Sequence, residues 1–365
     1  MSFFYGKHKP FIIAGPCSAE SREQVLETAA ALAAMPVQLF RAGVWKPRTR
    51  PGSFEGMGEP ALKWLQEAKS SYNICTAIEV AETNHVELAL KYGIDVLWIG
   101  ARTTVNPFQV QRLADALQGL NIPVMVKNPV NPDVDLWLGA IERLERAGMN
   151  DIAAIHRGFS GYNTNGSYRN EPNWTIPIEL KRRRPALPLF CDPSHITGKR
   201  ERIAEVSQKA MDLDFDGLMI ETHPNPDAAL SDAAQQITPD TLNYVLNHLV
   251  IRTAYNESRR KDLEIEHLRQ LMDSLDAEII DLLARRMDLS KKMGDWKKKA
   301  NMTVFQPDRW REIVDSRAER AMQHNLSKPF ILALYELIHH ESIQNQLAVL
   351  KDEASENVNH KPQTL

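Results

Sequence analysis

The feature that most constrains this chain is an alternation of two hydrophobic periods that continues to about residue 250 and then stops. Short, almost continuous apolar runs are separated by segments whose apolar residues recur at 3.6-residue spacing, which is typical of strands alternating with helices. The eight runs are FIIAG (11–15), QLFRAG (38–43), ICTAIE (74–79), VLWIG (96–100), PVMVKN (123–128), IAAIHR (152–157), LPLFCD (187–192) and GLMIET (217–222). Eight buried strands, each followed by a helix, favour a (β/α)8 barrel.

A doubly wound open sheet is the alternative for alternating strands and helices. It is disfavoured because no glycine-rich dinucleotide-binding turn follows the first run at residues 11–15. We therefore predict an α/β fold in which residues 1–252 form a closed (β/α)8 barrel, also called a TIM barrel.

Behind the barrel the strand signal ends and a helical pattern begins. Residues 253–262 are polar and predict a linker. After it, apolar residues and one arginine recur at alternating spacings of four and three residues. This pattern predicts a seam along which a helix packs against other helices. The seam consists of Leu268, Met272, Leu275, Ile279, Leu282, Arg286, Leu289, Met293 and Trp296. Helical patterns also cover residues 307–324 and 328–349, so we predict a small all-helical domain over residues 263–350. The polar tail 351–365 lacks a core pattern and is expected to be disordered.

Composition argues against several classes of function. The chain has 365 residues and a formal net charge of −3, which disfavours a general binder of nucleic acid or of membrane surfaces. Its three cysteines, Cys17, Cys75 and Cys191, are too few for a disulfide framework and suit a reducing compartment. The first residues lack the apolar core of a signal peptide, and no apolar run reaches the ~20 residues of a membrane span. We expect a cytoplasmic protein with a small-molecule or protein partner and no nucleic acid or membrane.

Polar side chains gather where the predicted strands end, which is the end of a barrel that carries the chemistry. One group is cationic and ends or follows strands two, four, five and six: Arg41, Lys46, Arg48, Arg102, Lys127 and Arg157. A second group ends or follows strands one, seven and eight, which are neighbours in a closed barrel: Cys17, His195, Glu221 and Asp232. A thiol, an imidazole and two carboxylates suit one divalent ion of Mn, Fe, Co or Zn better than Mg.

Each of these residues also has an ordinary structural explanation. Cys17 alone is typical of a small buried hydrophobe, Asp192 and His195 can cap the following helix, and cations at strand ends are usually solvated. The gathering of six cations favours a site, because like charges repel unless an anion offsets them, which indicates a phosphate-bearing ligand. Glu79, which ends strand three, is assigned as an acid or base or as a balancing charge, and Cys191 as structural.

The motifs at these positions resemble those of the 3-deoxy-D-arabino-heptulosonate 7-phosphate (DAHP) synthases, in particular the shorter type Iβ branch. The matching stretches are GPCSAE, RAGVWKPRT, IGAR, HRGF, CDPSHITGKR and ETHPNPDAALSD, in this order between residues 10 and 250. The related 3-deoxy-octulosonate 8-phosphate synthases carry a different, asparagine-containing stretch in place of KPRT and rank lower. The resemblance implies a metal-dependent condensation of phosphoenolpyruvate with erythrose 4-phosphate, the first step of the shikimate pathway.

The resemblance also implies a role for each polar residue. The metal ligands are Cys17, His195, Glu221 and Asp232. The residues that hold phosphoenolpyruvate are Arg41, Lys46, Ala101, Arg102, Lys127 and Arg157. Arg48 and Thr49 lie on the erythrose 4-phosphate side, and Lys46 counts as catalytic. The metal is expected to act as a Lewis acid on the sugar aldehyde.

Arg286 is an anomaly in the helical seam, because its position calls for an apolar residue. A buried guanidinium requires an anion, either a structural carboxylate or that of a ligand. Lys297 lies eleven residues further along the sequence, about 20° around the helix, and therefore shares the face of Arg286. Arg269 lies roughly 25 Å before Arg286 along the axis, so a small ligand that meets both requires Arg269 from another subunit.

The stretch 263–349 resembles the all-helical chorismate mutases, intertwined dimers whose pocket includes one arginine of the partner. The resemblance implies rearrangement of chorismate to prephenate and assigns its binding to Arg269, Arg286, Lys297, Gln306, Arg309, Ser342 and Gln346. Arg286, Lys297 and Gln346 are expected to be catalytic, the latter two facing the ether oxygen that becomes partly negative. The best-known members carry acids where this chain has Gln306 and Trp310, which implies weaker binding of the substrate hydroxyl. The histidines at 339–340 are predicted to be surface or packing residues.

The two resemblances together predict a bifunctional enzyme of aromatic amino acid biosynthesis that forms at least a homodimer. An alternative makes the helical domain mainly a dimerisation and allosteric sensor module that binds chorismate or prephenate and controls the synthase. Such control is expected because the first strand, at 11–15, leaves no room for the N-terminal regulatory domain that the family often carries. A third alternative is an unrelated metal-dependent barrel lyase or aldolase.

Overall fold

The structure of the chain, a computed structural model, describes residues 3–4, 10–46, 52, 54–161, 168–252 and 263–358. The chain divides into two compact units, Met1–Ala254 and Tyr255–Leu365. The predicted linker at 253–262 lies outside the described residues. The exact limits of the predicted barrel (1–252) and of the predicted helical domain (263–350) stay a prediction.

The first unit is a closed barrel of eight parallel strands, which confirms the predicted fold class. The strands are β1 (Phe11–Gly15), β2 (Leu39–Arg41), β3 (Thr76–Val80), β4 (Val96–Ile99), β5 (Val124–Lys127), β6 (Ile152–His156), β7 (Leu189–Cys191) and β8 (Gly217–Glu221). Each strand pairs with the next along the chain, and β8 closes the barrel by pairing with β1.

Helices connect the strands on the outside of the barrel. They are α1 (Arg22–Ala33), α2 (Glu59–Tyr72), α3 (Thr83–Lys91), α4 (Ala101–Thr104), α5 (Pro107–Leu117), α6 (Val134–Arg146), α7 (Thr175–Arg183), α8 (Pro193–Thr197), α9 (Ile203–Asp212) and α10 (Pro239–His248). Several begin at residues that accept hydrogen bonds from free backbone N–H groups of the first turn, as Ser21 does for α1 and Asp133 for α6.

The strand residues alternate between two hydrophobic cores. Ile13 and Trp98 belong to the core inside the barrel, whereas Ile12 and Leu97 pack beneath the surrounding helices. This two-sided burial explains why the strands read as nearly continuous apolar runs.

Aromatic rings fill the barrel interior at the N-terminal ends of the strands. Phe11 and Phe190 stack with their ring centroids 5.4 Å apart, and Phe4 meets both rings edge-on. Because this end is packed with apolar rings, the polar residues inside the barrel lie toward the C-terminal ends of the strands.

The second unit is helical, as predicted. Its helices are α11 (Leu263–Lys299), α12 (Pro307–Gln323) and α13 (Lys328–Val358), and both α11 and α12 pack against α13. The predicted pattern for the last helix ends at residue 349, whereas α13 continues to Val358. It therefore extends into the stretch 351–365 that is predicted to be a polar tail.

The apolar residues of the predicted seam are exposed in this single chain. Their exposed fractions lie between 52% for Met293 and 64% for Met272. The described residues of this unit include few buried apolar side chains, namely Ala318, Ala321 and Ile331. Among the described residues of both units, no helix has the length and the apolar content that crossing a membrane requires.

Candidate active sites

Three of the four predicted metal ligands meet at the C-terminal end of the barrel because β1 and β8 are paired neighbours. Gly15 at the end of β1 pairs with Glu221 at the end of β8, and Cys17 follows Gly15 by two residues. Asp232 lies in the loop after β8 with a φ of 49°, and its Oδ2 is 3.4 Å from Cys17 Sγ. The ligand atoms of Cys17, Glu221 and Asp232 lie within 4.8 Å of one another.

The fourth predicted ligand, His195, is positioned by the residue that caps α8. Asp192 Oδ1 accepts a hydrogen bond from the backbone N–H of His195 at 3.0 Å, and its Oδ2 lies 2.8 Å from His195 Nδ1. The other ring nitrogen, Nε2, lies 3.7 Å from Glu221 Oε1. A carboxylate on one ring nitrogen is the usual partner of a metal-binding histidine. The capping role of Asp192 was foreseen from the sequence, but its role in orienting the imidazole was not.

Burial and neighbouring charges determine the protonation of this cluster. Burial and the Glu221 carboxylate raise the pKa of Cys17 to about 12, although Lys46, whose Nζ is 3.0 Å from Sγ, opposes them. Burial also acts to raise the pKa of Glu221, but His195 and Arg41 outweigh it, so this pKa is lower than usual. Burial lowers the pKa of His195, which favours the neutral imidazole that metals bind.

The donor set fits a divalent transition metal. Glu221 Oε1 is buried and makes no hydrogen bond with any described residue, although Arg41 Nη1 lies 3.1 Å away. The other oxygen, Oε2, accepts a hydrogen bond from Gln235 Nε2 at 2.7 Å. Cys17 and Glu221 are buried, and His195 and Asp232 are partly buried. One sulfur, one imidazole nitrogen and two carboxylates are donors for Mn, Fe, Co or Zn, whereas Mg prefers oxygen ligands alone.

Two predicted substrate-binding cations lie over a buried tryptophan. Arg41 donates to the Cys17 carbonyl at 3.1 Å, and Lys127 Nζ is 2.7 Å from Asp192 Oδ2. Their charged groups lie 5.0 and 6.0 Å from the ring of Trp98, within range of a cation–π interaction. Trp98 Nε1 donates to Glu79 Oε2 at 3.1 Å. Glu79 therefore anchors the indole that lies against these two cations.

Arg102 and Arg157 lie near the same end of the barrel. Arg157 follows β6, and burial lowers its pKa to about 10, with the nearby charge of Arg102 contributing. Arg102 is exposed in the short helix α4, next to the buried Ala101. The predicted erythrose 4-phosphate residues Arg48 and Thr49 lie outside the described residues.

Arg169 and Gln235 support two of the ligands, and sequence reasoning missed both. Arg169 Nη1 lies 2.9 Å from Asp232 Oδ1. Burial acts to raise the pKa of Asp232, but Arg169 outweighs it and holds this pKa below its ordinary value. Gln235 is the donor to Glu221. Neither residue ends a strand, so the pattern that identified the ligands gives no signal for them.

One cavity of the described chain lies away from this cluster. Its volume is about 420 Å³, and it is lined where β6 and β7 begin, at Ile152 and Pro188. Arg184, which also lines it, is paired with Glu145. This cavity therefore lies at the opposite end of the strands from the predicted ligands.

The helical unit contains a separate cavity of about 240 Å³ that brings together most of the predicted chorismate residues. The predicted residues that line it are Arg286, Lys297, Gln306, Arg309, Ser342 and Gln346. Arg286 and Lys297 lie on the same cavity, as their spacing along α11 predicts. Arg317 also lines it, and none of its described lining residues carries a carboxylate. The cavity is therefore suited to a ligand with negative charge.

The polar groups of this cavity are held by neighbouring oxygens. Arg286 donates to the Ser342 hydroxyl, and Lys297 Nζ donates to the Val304 carbonyl at 2.5 Å. Gln346 Nε2 donates to Ser290 Oγ at 3.1 Å. Among the described residues, no carboxylate lies within ion-pairing distance of Arg286, and burial lowers the pKa of its guanidinium.

Arg269 does not line the cavity of its own chain. It lies on the exposed part of α11 and pairs with Glu266 at 2.9 Å. This placement agrees with the axial distance expected between Arg269 and Arg286. An intertwined second copy would be needed to bring Arg269 to the cavity.

The two positions that depart from the resemblance also line the cavity. Gln306 Nε2 lies 3.0 Å from Met302 Sδ, and Trp310 stacks on His339 with their ring centroids 4.0 Å apart. His339 was predicted to be a surface or packing residue, and it packs on Trp310 while lining the cavity. An aromatic pair therefore occupies the side of the cavity where the resemblance leads one to expect an acid.

Comparison with known families agrees with this division into two sites. Residues 2–255 match the DAHP synthetase I family, and residues 268–347 match chorismate mutase type II. A phospho-2-dehydro-3-deoxyheptonate aldolase of Thermotoga maritima is 33% identical over 226 residues, which cover 62% of this chain and 64% of that relative. A 2-dehydro-3-deoxyphosphooctonate aldolase of Legionella pneumophila (strain Corby) is 29% identical over 68% of this chain and 93% of the relative.

Solved structures show the same similarity for the barrel. The crystal structure of the Thermotoga maritima phospho-2-dehydro-3-deoxyheptonate aldolase (DAHP synthase) has a TM-score of 0.59 and 29% identity, covering 66% of this chain and 67% of that one. A truncated 3-deoxy-D-arabino-heptulosonate 7-phosphate synthase from Thermotoga maritima has a TM-score of 0.56 and 26% identity, covering 73% of this chain and 87% of that one.

Proposed function

The chain belongs to the DAHP synthetase I family, and on this premise we propose that its barrel condenses phosphoenolpyruvate with erythrose 4-phosphate to give DAHP and phosphate. The observation that carries this proposal is the meeting of two groups at one end of the barrel. The Cys17 thiol, which belongs to the ligand group, contacts Lys46 of the cation group at 3.0 Å. A metal ion and a phosphorylated substrate bound by these groups are therefore neighbours.

One divalent ion of Mn, Fe, Co or Zn is the proposed cofactor of each barrel. Cys17, His195, Glu221 and Asp232 would hold it, with Asp192 keeping the imidazole in orientation. When bound, the ion supplies a Lewis acid that polarises the sugar aldehyde.

The cations position phosphoenolpyruvate for attack. Arg41, Lys46, Arg102, Lys127 and Arg157, with the backbone at Ala101, are proposed to hold its phosphate and carboxylate, and Arg48 and Thr49 to hold erythrose 4-phosphate. Arg41 and Lys127 are rigid partners because both are buried and lie against Trp98. C3 of phosphoenolpyruvate then attacks the aldehyde carbon, water adds at C2, and phosphate leaves. Fixing two reactants in this way removes much of the entropic cost of the bimolecular step.

We propose that the helical unit rearranges chorismate to prephenate. This is supported by a cavity in which Arg286, Lys297 and Arg309 face a space that lacks carboxylates among its described lining residues. The arginines, with Arg269 of a partner copy, are proposed to bind the two carboxylates of chorismate. Lys297 and Gln346 are proposed to stabilise the partial negative charge on the ether oxygen, while Gln306 and Ser342 bind the remaining polar groups.

A homodimer through the helical unit is part of this proposal. The apolar seam residues of α11 are more than half exposed in the single chain, and few apolar side chains of this unit are buried in its described part. Large apolar surface of this kind is usually covered by a protein partner. A second copy would cover it and supply Arg269. Both reactions are assigned to the cytoplasm, where free thiols such as those of Cys17, Cys75 and Cys191 remain reduced.

A second candidate function for the helical unit is that of a sensor. Trp310 and His339 form a stacked aromatic pair on the side of the cavity where the resemblance leads one to expect an acid. The arginines that would bind carboxylates are retained, so a chorismate-like dicarboxylate could bind without being turned over rapidly. In that case chorismate or prephenate would bind the cavity and change the activity of the synthase. Synthase activity that stays constant at every concentration of chorismate and of prephenate would rule this out.

Two assays on the intact chain test the proposal. Phosphate release is measured with phosphoenolpyruvate and erythrose 4-phosphate, and loss of chorismate absorbance is measured separately. The octonate aldolases are also similar in sequence, so a five-carbon aldose phosphate serves as the competing substrate. We expect the four-carbon aldose to be preferred. Preference for the five-carbon aldose, or no phosphate release with either, would contradict the proposed synthase.

A further inference from the structure

The short segment Arg169–Glu171, which follows β6 in the chain, makes contact with both groups of the proposed synthase site. Phe159 and Glu171 exchange backbone hydrogen bonds of 2.8 and 2.9 Å, which fix this segment beside the end of β6. Arg169 and Asn170 lie immediately before Glu171 in this segment. Neither residue has a role in the proposed reaction so far, although both donate or accept hydrogen bonds within the site.

The backbone of this segment is docked closely on α8. The N–H groups of Arg169 and Asn170 donate to the Ile196 carbonyl at 3.0 and 3.1 Å. Two glycines make this approach possible: a Cβ on Gly198 would lie 2.5 Å from Arg169 Cβ, and one on Gly158 would lie 2.8 Å from Asn170 Cβ. Both glycines have positive φ, at 64° and 78°. The segment is therefore held in one position relative to His195 and Arg157.

Arg169 reaches two of the proposed metal ligands. Its Nη1 lies 2.9 Å from Asp232 Oδ1 and 2.5 Å from Gln235 Oε1. Gln235 in turn donates to Glu221 Oε2 at 2.7 Å. One guanidinium thus restrains the Asp232 carboxylate directly and the Glu221 carboxylate through one amide.

Asn170 joins the proposed metal ligands to the substrate cations. Its Oδ1 accepts a hydrogen bond from Arg157 Nη1 at 2.8 Å, and its Nδ2 donates to the His195 carbonyl at 2.6 Å. A single amide therefore connects a cation proposed to bind phosphoenolpyruvate with the residue that carries the proposed imidazole ligand. Movement of Arg157 therefore displaces Asn170 and changes its hydrogen bond to His195, and movement of His195 changes the hydrogen bond to Arg157 in the same way.

We propose that Arg169 and Asn170 are positioning residues that preorganise the metal ligands and couple metal binding to phosphoenolpyruvate binding. Arg169 sets the direction of the two ligand carboxylates. Asn170 links the binding of phosphoenolpyruvate at Arg157 to the binding of the metal at His195. This inference rests on the proposed function, because it assumes that the four ligands hold an ion and that Arg157 holds phosphoenolpyruvate.

The role of Arg169 is tested by metal affinity, which is measured without turnover. Metal-free full-length protein is titrated with Co²⁺, and binding is followed through the near-ultraviolet absorption of the cobalt–thiolate bond. Arg169→Ala is expected to weaken Co²⁺ binding by about 10- to 100-fold, the usual effect of losing a residue that supports a ligand. Arg169→Lys keeps the charge but not the two-acceptor geometry, and is expected to give a smaller loss. Arg182→Ala, a surface arginine paired with Glu179, is the control and is expected to bind Co²⁺ as the wild type does.

The role of Asn170 is tested by coupling. The dissociation constant of Co²⁺ is measured with and without saturating phosphoenolpyruvate, and the ratio of the two is expected to be at least about fivefold in the wild type, in the usual range for coupled sites. Asn170→Asp keeps the acceptor for Arg157 but places a carboxylate oxygen against the His195 carbonyl. In this variant, and in Asn170→Ala, the ratio is expected to approach one.

The outcomes separate this inference from the function on which it rests. If the wild type binds no Co²⁺ through a thiolate, the proposed metal site fails and the inference fails with it. If the wild type binds Co²⁺ but correctly folded Arg169→Ala and Arg169→Lys bind it equally well, the metal site stands and the role of Arg169 is overturned. A coupling ratio that is one in the wild type, or unchanged in both Asn170 variants, overturns the role of Asn170. Thermal unfolding of each variant verifies folding.

Discussion

Lys46 Nζ lies 3.0 Å from Cys17 Sγ, so a residue proposed to bind phosphoenolpyruvate contacts a residue proposed to bind the metal. The cavity of the helical unit is built from other residues, and none of its described lining residues is a cysteine or an acid. The metal is therefore expected to matter for one of the two proposed reactions and not for the other.

A strong chelator is expected to abolish DAHP synthesis and to leave the chorismate rearrangement unchanged. The proposed condensation needs a Lewis acid at the aldehyde. The rearrangement breaks and forms bonds within one molecule, and fixed positive charge stabilises its transition state without a metal. Both activities are measured on the same chelated sample, and Mn²⁺, Fe²⁺, Co²⁺ or Zn²⁺ is then added back. Full synthase activity in the metal-free protein would contradict the assignment.

Replacing the proposed sulfur ligand is expected to have the same selective effect. Cys17→Ala removes the soft donor and should reduce metal binding and synthase activity by at least about 10-fold, since a ligand matters at least as much as a residue that supports one. Cys75→Ala, at a half-buried thiol outside the ligand cluster, is the matched control and should retain the metal. Metal content is measured by elemental analysis of the purified variants. Equal metal content in both variants would contradict the proposal that Cys17 is a metal ligand.

The fold of the barrel could be predicted because its signal is local and repeated. Each strand is buried on both faces, which gives runs such as FIIAG, and both the closure and the strand order follow once eight such runs alternate with helices. The end of α13 could not be predicted in this way. Its last turns contain few apolar residues, and helix continuation there depends on propensity, which is a weaker signal than packing.

The candidate sites divide in the same way. Residues at strand ends, such as Glu221, and residues at helical spacing, such as Arg286 and Lys297, could be found because their positions follow from the periodicity. Arg169 and Asn170 could not, because their placement depends on the close approach of Gly198 to Arg169 and of Gly158 to Asn170. Side-chain contacts across such distances leave no periodic pattern in the sequence.

Arg286→Ala is expected to reduce the catalytic efficiency of the chorismate rearrangement by about 30- to 5,000-fold. The guanidinium is half-buried, donates to the neutral hydroxyl of Ser342, and has no carboxylate partner in the part of the chain that the structure describes, so it is available to a ligand carboxylate. Loss of one partner of a buried charge pair costs about 2–5 kcal/mol. Arg285→Ala removes the same charge from the exposed neighbouring position and is the control. Loss of activity in both variants to the same extent would point to a general electrostatic effect instead of a specific contact.

The stability of the barrel is expected to fall as the pH is lowered from 7 to 5 because of His156. This imidazole is fully buried among Phe159, Trp174 and Phe215, and burial lowers its pKa to about 3. In the unfolded chain it takes up a proton near pH 6.5, so below that pH protonation stabilises the unfolded state and not the folded state, which lowers the free energy of unfolding by up to about 2 kcal/mol at pH 5. Denaturant titrations at both pH values should show a smaller pH dependence for His156→Gln than for the wild type. Identical dependence in the two proteins would contradict a neutral buried His156.

Disruption of the α11 seam is expected to separate the proposed dimer and to remove the rearrangement activity at the same time. Ile279 is 53% exposed in the single chain, and a dimer related by a twofold axis would bury it in both copies. Each buried isoleucine contributes about 2 kcal/mol. Ile279→Asp should therefore weaken the dimer by about 4 kcal/mol, or about 10³-fold in dissociation constant. Sedimentation velocity measures the oligomeric state, and Glu278→Ala, at the adjacent exposed position, is the control.

Because Arg269 would be supplied by the partner copy, the monomeric variant should lose the rearrangement even though its own Arg286 and Lys297 are intact. A variant that is monomeric and fully active would show that the cavity of one chain is sufficient.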